Sequence, residues 1–225
     1  MTNESESNAA LAEKIVGDRS LAAWEIISVV ISFLITEWIV LALGGKLLAS
    51  IPLIAAFGYI VVSHRVRGET LRDLGFRMDN FLPALWLLAI PTVLALACFL
   101  FIGWSEGGWR FELLWSRPRY LLLPVWALAQ QYVAQGFINR RAQTVFGKGW
   151  KSVLVTASIF ALLHMPNLNL VWLTFVGGIV WAAVFQLRPN LFALAISHTV
   201  TSMILARVLP NIWVNSMRVG LKYFL

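Results

Sequence analysis

Three glutamines, Gln130, Gln131 and Gln135, stand within one hydrophobic run, and two histidines, His164 and His198, stand in later apolar stretches of their own. Carboxamides donate and accept hydrogen bonds without exchanging a proton, whereas imidazole titrates near neutrality. Polar side chains that cannot reach water from an apolar segment are there to meet one another, or an occupant. Four-residue spacing puts Gln131 and Gln135 on one helix face with Gln130 beside them. Phe160 and His164 repeat that spacing on the next helix, and His198 and Ser202 repeat it again. The plainer reading is interhelical hydrogen bonding, worth roughly 0.6–2 kcal/mol per contact. Three amides and two histidines grouped in the second half of the chain exceed what such bonding requires, and the set reads as a site. Two histidines without carboxylates or thiolates are incomplete for zinc, so neither metal nor cofactor is expected. A Ser202–His198 pair lacks the third group that orients a nucleophile's base.

The elements that carry these groups are membrane helices. Of 225 residues, 59% are hydrophobic and 13% charged, where soluble domains carry about 25% charged. Several stretches reach the roughly 20 apolar residues that cross a bilayer. The expected fold is all-α, a polytopic transmembrane bundle of about seven to eight spans. The net charge of +7 reads as loop arginines and lysines facing cytoplasm and anionic headgroups, not as a nucleic-acid surface. The bilayer is therefore the first partner. Cys98 is the only cysteine and lies in an apolar run, which excludes an internal disulfide. Trp24, Trp104 and Trp150 stand near the ends of apolar runs, as in interfacial belts.

In chain order, a polar segment 1–21 precedes a single transmembrane domain, 22–225. No short apolar core with a cleavage site marks a signal peptide. Spans are expected at 22–43, 47–63, 81–102 (with Pro91 favouring a kink), 120–145, 150–164, 170–187 and 191–209. Gly177 and Gly178 permit close packing of the sixth. A short amphipathic helix is expected around Thr70–Phe76, and the tail 211–225 reads as interfacial or as an eighth crossing. Glu37 lies at membrane depth, where an acid costs roughly 2.5–3.5 kcal/mol. It is expected near the headgroups or bonded to a neighbouring helix. No Asp or Glu occurs after Glu112, so only a first-half carboxylate such as Glu37 can be brought to the glutamines by folding. With the N-terminus inside and seven spans, Lys14, Arg19, Arg65, Arg67, Arg72, Arg77, Arg140, Arg141, Lys148, Lys151 and Arg188 face inward. That is 11 of the 18 basic residues, which favours a cytoplasmic N-terminus and a multi-pass cell-membrane protein.

The order and spacing over 120–205 resemble the CPBP family, the membrane-embedded CAAX-processing and bacteriocin-processing endopeptidases also called ABI. That family's pattern is Glu-Glu-x-x-x-Arg, often followed by Gly, then Phe-x-x-x-His, then His-x-x-x-Asn on successive helices. Phe160 and His164 match the second motif, Met165, Pro166 and Asn167 follow it in family-like fashion, and Gly136 follows Gln135. The run Arg72, Asp73, Leu74, Gly75 resembles the family's loop before its third span. The resemblance implies that the first motif position, Gln130 here, is that of the general base. It implies that His164, His198 and Ser202 hold water and the oxyanion, with Gln131 and Gln135 completing the motif and Phe160 and Asn167 on the substrate side.

The departures are chemical. Both acids and the arginine of the first motif are glutamines, and the final asparagine is Ser202. Losing a general base costs roughly 10²–10⁴ in rate. The three exchanges are consistent with one another, since a buried arginine without its acids is an unpaired charge. The expected function is binding of hydrophobic or lipidated peptides with glutamate-dependent hydrolysis lost or weakened. The alternatives are a hydrolase with a histidine base and a transporter or other membrane interaction protein.

Overall fold

The computed structural model describes residues 2–40, 46–108 and 121–225. Among these the regular structure is helical, with no strand. Helix α1 spans Thr2–Ile35 and continues as a π-helical turn, Thr36–Val40. Helices α2, Lys46–Val66, and α3, Phe81–Ser105, follow. Helix α4 opens as Leu123–Gln131, widens into a π-helix over Tyr132–Asn139 and closes as Arg140–Phe146. Helices α5, Trp150–Leu162, α6, Leu168–Leu187, and α7, Leu191–Val208, complete the bundle. Four stretches, Ile15–Val40, α3, α6 and α7, are long and apolar enough to cross a membrane, and Ser50–Val66 and α5 are shorter apolar helices.

What faces lipid and what faces protein is set by side-chain exposure. Only 11% of the apolar window of α3 is buried, against 61% of that of α7, so α7 is central and α3 peripheral. Trp86 and Ile90 on α3 stand 76% and 72% exposed, an apolar surface that only hydrocarbon satisfies. Helix α4 joins two packed clusters. Ala134 packs with Phe160, Trp181, Val184 and Leu194 of α5, α6 and α7. Val133, Phe137 and Ile138 pack with Ile26, Val29 and Ile60 of α1 and α2. Gly178 does what its size permits: a Cβ there would lie 3.0 Å from the Cα of Ala157, so α5 and α6 meet backbone to backbone.

Two expectations change. Residues 70–76 form hydrogen-bonded turns instead of an amphipathic helix. Asp73 accepts from the Thr70 amide and hydroxyl, and Gly75 at φ +94° reverses the chain, so a helix cannot propagate. The Gly75 carbonyl then accepts from Leu191 N at 2.9 Å, stitching this loop to the start of α7. Residues 211–225 make one short helix, Asn211–Val214, and two 3₁₀ turns, and no eighth crossing. The polar segment 1–21 is helical from Thr2 and continuous with α1. The expected end of the first span, 41–43, lies outside the described residues, as does most of the 103–119 loop.

Candidate functional site

Among helices α1 to α7 lies a cavity of about 650 Å³, within the size range of ligand pockets. Its walls are mainly apolar, with Phe33, Phe57, Phe99 and Leu173 among them, and one part is polar: Gln130, His164, His198 and Ser202 all line it. Sequence positions on α4, α5 and α7 are thus brought to one space. The site sits in the half of the bundle away from the basic helix ends, because Gln130 lies early in α4 and His164 just past the end of α5.

The glutamines divide. Gln130 faces the cavity. Gln131 is fully buried, and its Nε2 lies 3.2 Å from His198 Nδ1. An amide nitrogen only donates, so His198 Nδ1 accepts and its proton sits on Nε2. His164 has the opposite arrangement: its Nδ1 donates to the Phe160 carbonyl at 2.7 Å, leaving Nε2 as an acceptor. The Phe160 ring lies edge-on to both imidazoles, with centroids 4.9 Å from His164 and 5.8 Å from His198, and so spaces them. Trp181 lies against His198 at 4.5 Å, and its Nε1 donates to Ser197 Oγ, which also bonds Thr92 on α3. The Phe160 spacing to His164 was readable from sequence. Trp181 was not, because its apolar neighbours on α6 give no sign of which face meets α7.

Gln135 is elsewhere. It is 1% exposed and accepts from Asn139 Nδ2 at 2.9 Å. Asn139 also donates to the Ala182 carbonyl and accepts from Gln186, and Gln186 in turn donates to Ser152 on α5. This polar spine fastens α4 to α5 and α6. Gln131 and Gln135, four residues apart, thus take different partners: Gln131 bonds His198 on α7, and Gln135 bonds Asn139 beside α6. Asn167 is likewise outside the cavity lining. Its Oδ1 caps α6 at Leu170 N, and its Nδ2 donates to the Val214 and Arg218 carbonyls, holding the tail in place.

Glu37, expected near headgroups or bonded to a helix, lines the same cavity. Its Oε2 is buried and has no hydrogen-bond partner.

At the basic end, sequence reasoning missed a buried ion cluster. Arg141, 1% exposed, contacts Glu25 at 2.8 Å and Glu69 at 2.9 Å, and donates to Ser63 Oγ. Arg67 also pairs with Glu25, and Arg140 and His64 with Glu69. Expected as inward-facing basic residues near the end of the fourth span, Arg140 and Arg141 tie α4 to α1, α2 and the 67–80 loop. Glu25 within the first span was the available signal. Partial burial alone would raise the Glu69 carboxyl. Hydrogen bonds from His64, Arg141 and Arg140 outweigh it and hold Glu69 well below the usual carboxylate range. Among the described residues no three of His, Cys, Asp and Glu converge as metal ligands.

A family model described as type II CAAX prenyl endopeptidase, Rce1-like, matches residues 91–204, just over half of the chain. No curated protein and no solved structure matches it.

Proposed function

This chain belongs to the Rce1-like type II CAAX prenyl endopeptidase family, and from that premise we propose that it binds hydrophobic or lipidated peptides in its membrane cavity without the family's glutamate chemistry. The observation that carries this reading is the pairing of an apolar cavity of about 650 Å³ with a polar end that holds Gln130 in the base position. An isoprenoid or apolar side chain finds cover among Phe33, Phe57, Phe99 and Leu173. A peptide carbonyl finds donors in the Gln130 amide and His198 Nε2–H. Gln130 accepts no proton from water at any working pH. With an amide at that position, the polar end of the cavity holds a client without a motif base to cleave it.

The basic ends of α2, α4, α5 and α6, with Arg65, Arg67, Arg140, Arg141, Lys148, Lys151 and Arg188, support a cytoplasmic N-terminus in a multi-pass cell-membrane protein.

The test is photo-crosslinking of a farnesylated, diazirine-bearing peptide to the protein in nanodiscs, with product analysis of the same sample. Crosslinking without cleavage is expected, and it is lost when Thr174→Trp fills the cavity. Catalytic cleavage by wild type overturns the loss of hydrolysis. Equal labelling of the filled variant overturns the binding site.

One observation favours a second reading, an active hydrolase with a histidine base. His164 offers an acceptor Nε2 and His198 a donor Nε2–H, the pair that a water and an oxyanion need. This reading requires His164→Ala and His198→Ala each to abolish product from a membrane-anchored peptide at unchanged expression. Full turnover in both variants removes it.

A further inference from the structure

The acids wholly or partly withdrawn from water are of two kinds. Glu25 and Glu69 are held among Arg67, Arg140 and Arg141, as carboxylates removed from water have to be. Glu37 differs. Its Oε2 is buried without a partner, and no lysine or arginine is among the described residues of the cavity it lines. Its position is also built. Glu37 stands on the π-helical turn Thr36–Val40. Gly220 of the tail packs so closely on it that a Cβ there would lie 2.8 Å from the Glu37 carbonyl oxygen and 2.9 Å from its Cβ. Gly220 also adopts φ +56° and donates to the Met165 carbonyl at 2.7 Å. The tail thus ties the Glu37 turn to the loop that carries His164. An acid fixed in an apolar cavity either stays neutral or takes its counter-charge from an occupant.

We propose that Glu37 is a recognition subsite for a positively charged group of the cavity's occupant, an amphiphile that joins an ammonium or guanidinium to a long apolar body. The subsite rests on the cavity-binding reading above and specifies its ligand. The apolar body lies among Phe33, Phe57 and Phe99, which line the cavity together with Glu37. The cation meets the unpartnered Oε2, gaining a charge-assisted hydrogen bond in a site of low polarity. Gln130 and the histidines then remain available to other polar groups of the same occupant.

The experiment uses the full chain in zwitterionic phosphatidylcholine nanodiscs, labelled by a diazirine-bearing farnesyl probe, with farnesylamine and farnesol as competitors. Farnesylamine is expected to protect at roughly tenfold lower concentration than farnesol, the size of one hydrogen bond to a charged group. In Glu37→Gln this advantage is expected to vanish while protection by farnesol is unchanged, and Glu37→Asp is expected to keep it. Equal protection by amine and alcohol in wild type overturns the subsite and leaves the binding cavity standing, as does an amine advantage that survives in Glu37→Gln. Protection by neither overturns the cavity reading and the subsite with it. The wild-type comparison decides the charge preference even if Glu37→Gln does not assemble.

Discussion

The Gln131 carboxamide nitrogen lies 3.2 Å from Nδ1 of His198, joining the last α-helical turn before the π segment of α4 to the middle of α7. The bond fixes which nitrogen of His198 carries the proton and so which one faces an occupant as donor. Gln131 Oε1 is buried without a partner, so the residue's positioning role outweighs its contribution to stability.

Gln131→Leu is therefore expected to cost only about 0.5–1.5 kcal/mol, the net worth of one hydrogen bond. It is also expected to shift the His198 ring ¹⁵N resonances as the Nε2–H tautomer loses its support. Unchanged resonances would separate the glutamine from the histidine.

Gln135→Arg, which restores the family's residue, is expected to destabilise the protein by about 3–5 kcal/mol, because it buries a cation where only amides and carbonyls wait. The partners now there are Asn139 and, through it, Gln186 and the Ala182 carbonyl. Thermal unfolding in nanodiscs measures the loss. An unchanged Tm would mean that the spine accommodates a charge.

Gly178→Leu is expected to force α5 from α6, since a Cβ already meets the Ala157 backbone at 3.0 Å. Overpacking costs about 1–3 kcal/mol. It also displaces Phe160 from Trp181, whose rings are 5.9 Å apart. Loss of farnesyl-peptide crosslinking alongside the lower Tm would report both effects, and Gly178→Ala should show a weaker form of each.

Arg141→Ala removes the cation shared by Glu25 and Glu69 and is expected to lower stability by about 3–5 kcal/mol, as breaking a buried pair does. Arg140→Ala, at a partly exposed pairing with Glu69, is expected to cost under about 1 kcal/mol. Equal losses in the two variants would mean that burial does not rank these arginines.

Glu69 gives the protein a pH dependence. Its carboxyl is depressed in the folded state, so its contribution is fully present above the ordinary glutamate value of about 4.3. That contribution falls away as pH drops from there towards the lower folded value. Unfolding followed downward from pH 6 should show the acid loss of Tm in wild type and a flatter profile in Glu69→Gln, which has no carboxylate at this position to protonate. Parallel profiles would place the acid sensitivity elsewhere.

Much of this was legible from local pattern. Long apolar runs bounded by basic or glycine-containing turns placed α2, α3, α5, α6 and α7 within a few residues, while α1 begins at Thr2, well before the run expected from residue 22. The i, i+4 spacing put Phe160 over His164, where the two rings now touch. The short helix expected at 70–76 failed because periodicity over so few residues says little when Asp73 and Gly75 favour turns. The separate partners of Gln131 and Gln135 were not readable, because four-residue spacing does not say which neighbouring group each side chain meets. The tail's role was hidden as well: nothing in 211–225 tells that Gly220 reaches Met165 and Glu37.

By itself the sequence determined that the chain is a membrane helix bundle. Its resemblance to an endopeptidase family implied that Gln130, Gln131 and Gln135 stand where that family's motif has acids and an arginine. The bundle follows from composition and from periodicity along single helices, which are local. Only the tertiary structure decided which glutamine meets a histidine, which one braces the core, and that Arg141 is buried between two acids. Only it brought Glu37 from α1 into the cavity of Gln130, His164 and His198. Those outcomes depend on helix rotation and packing between distant segments.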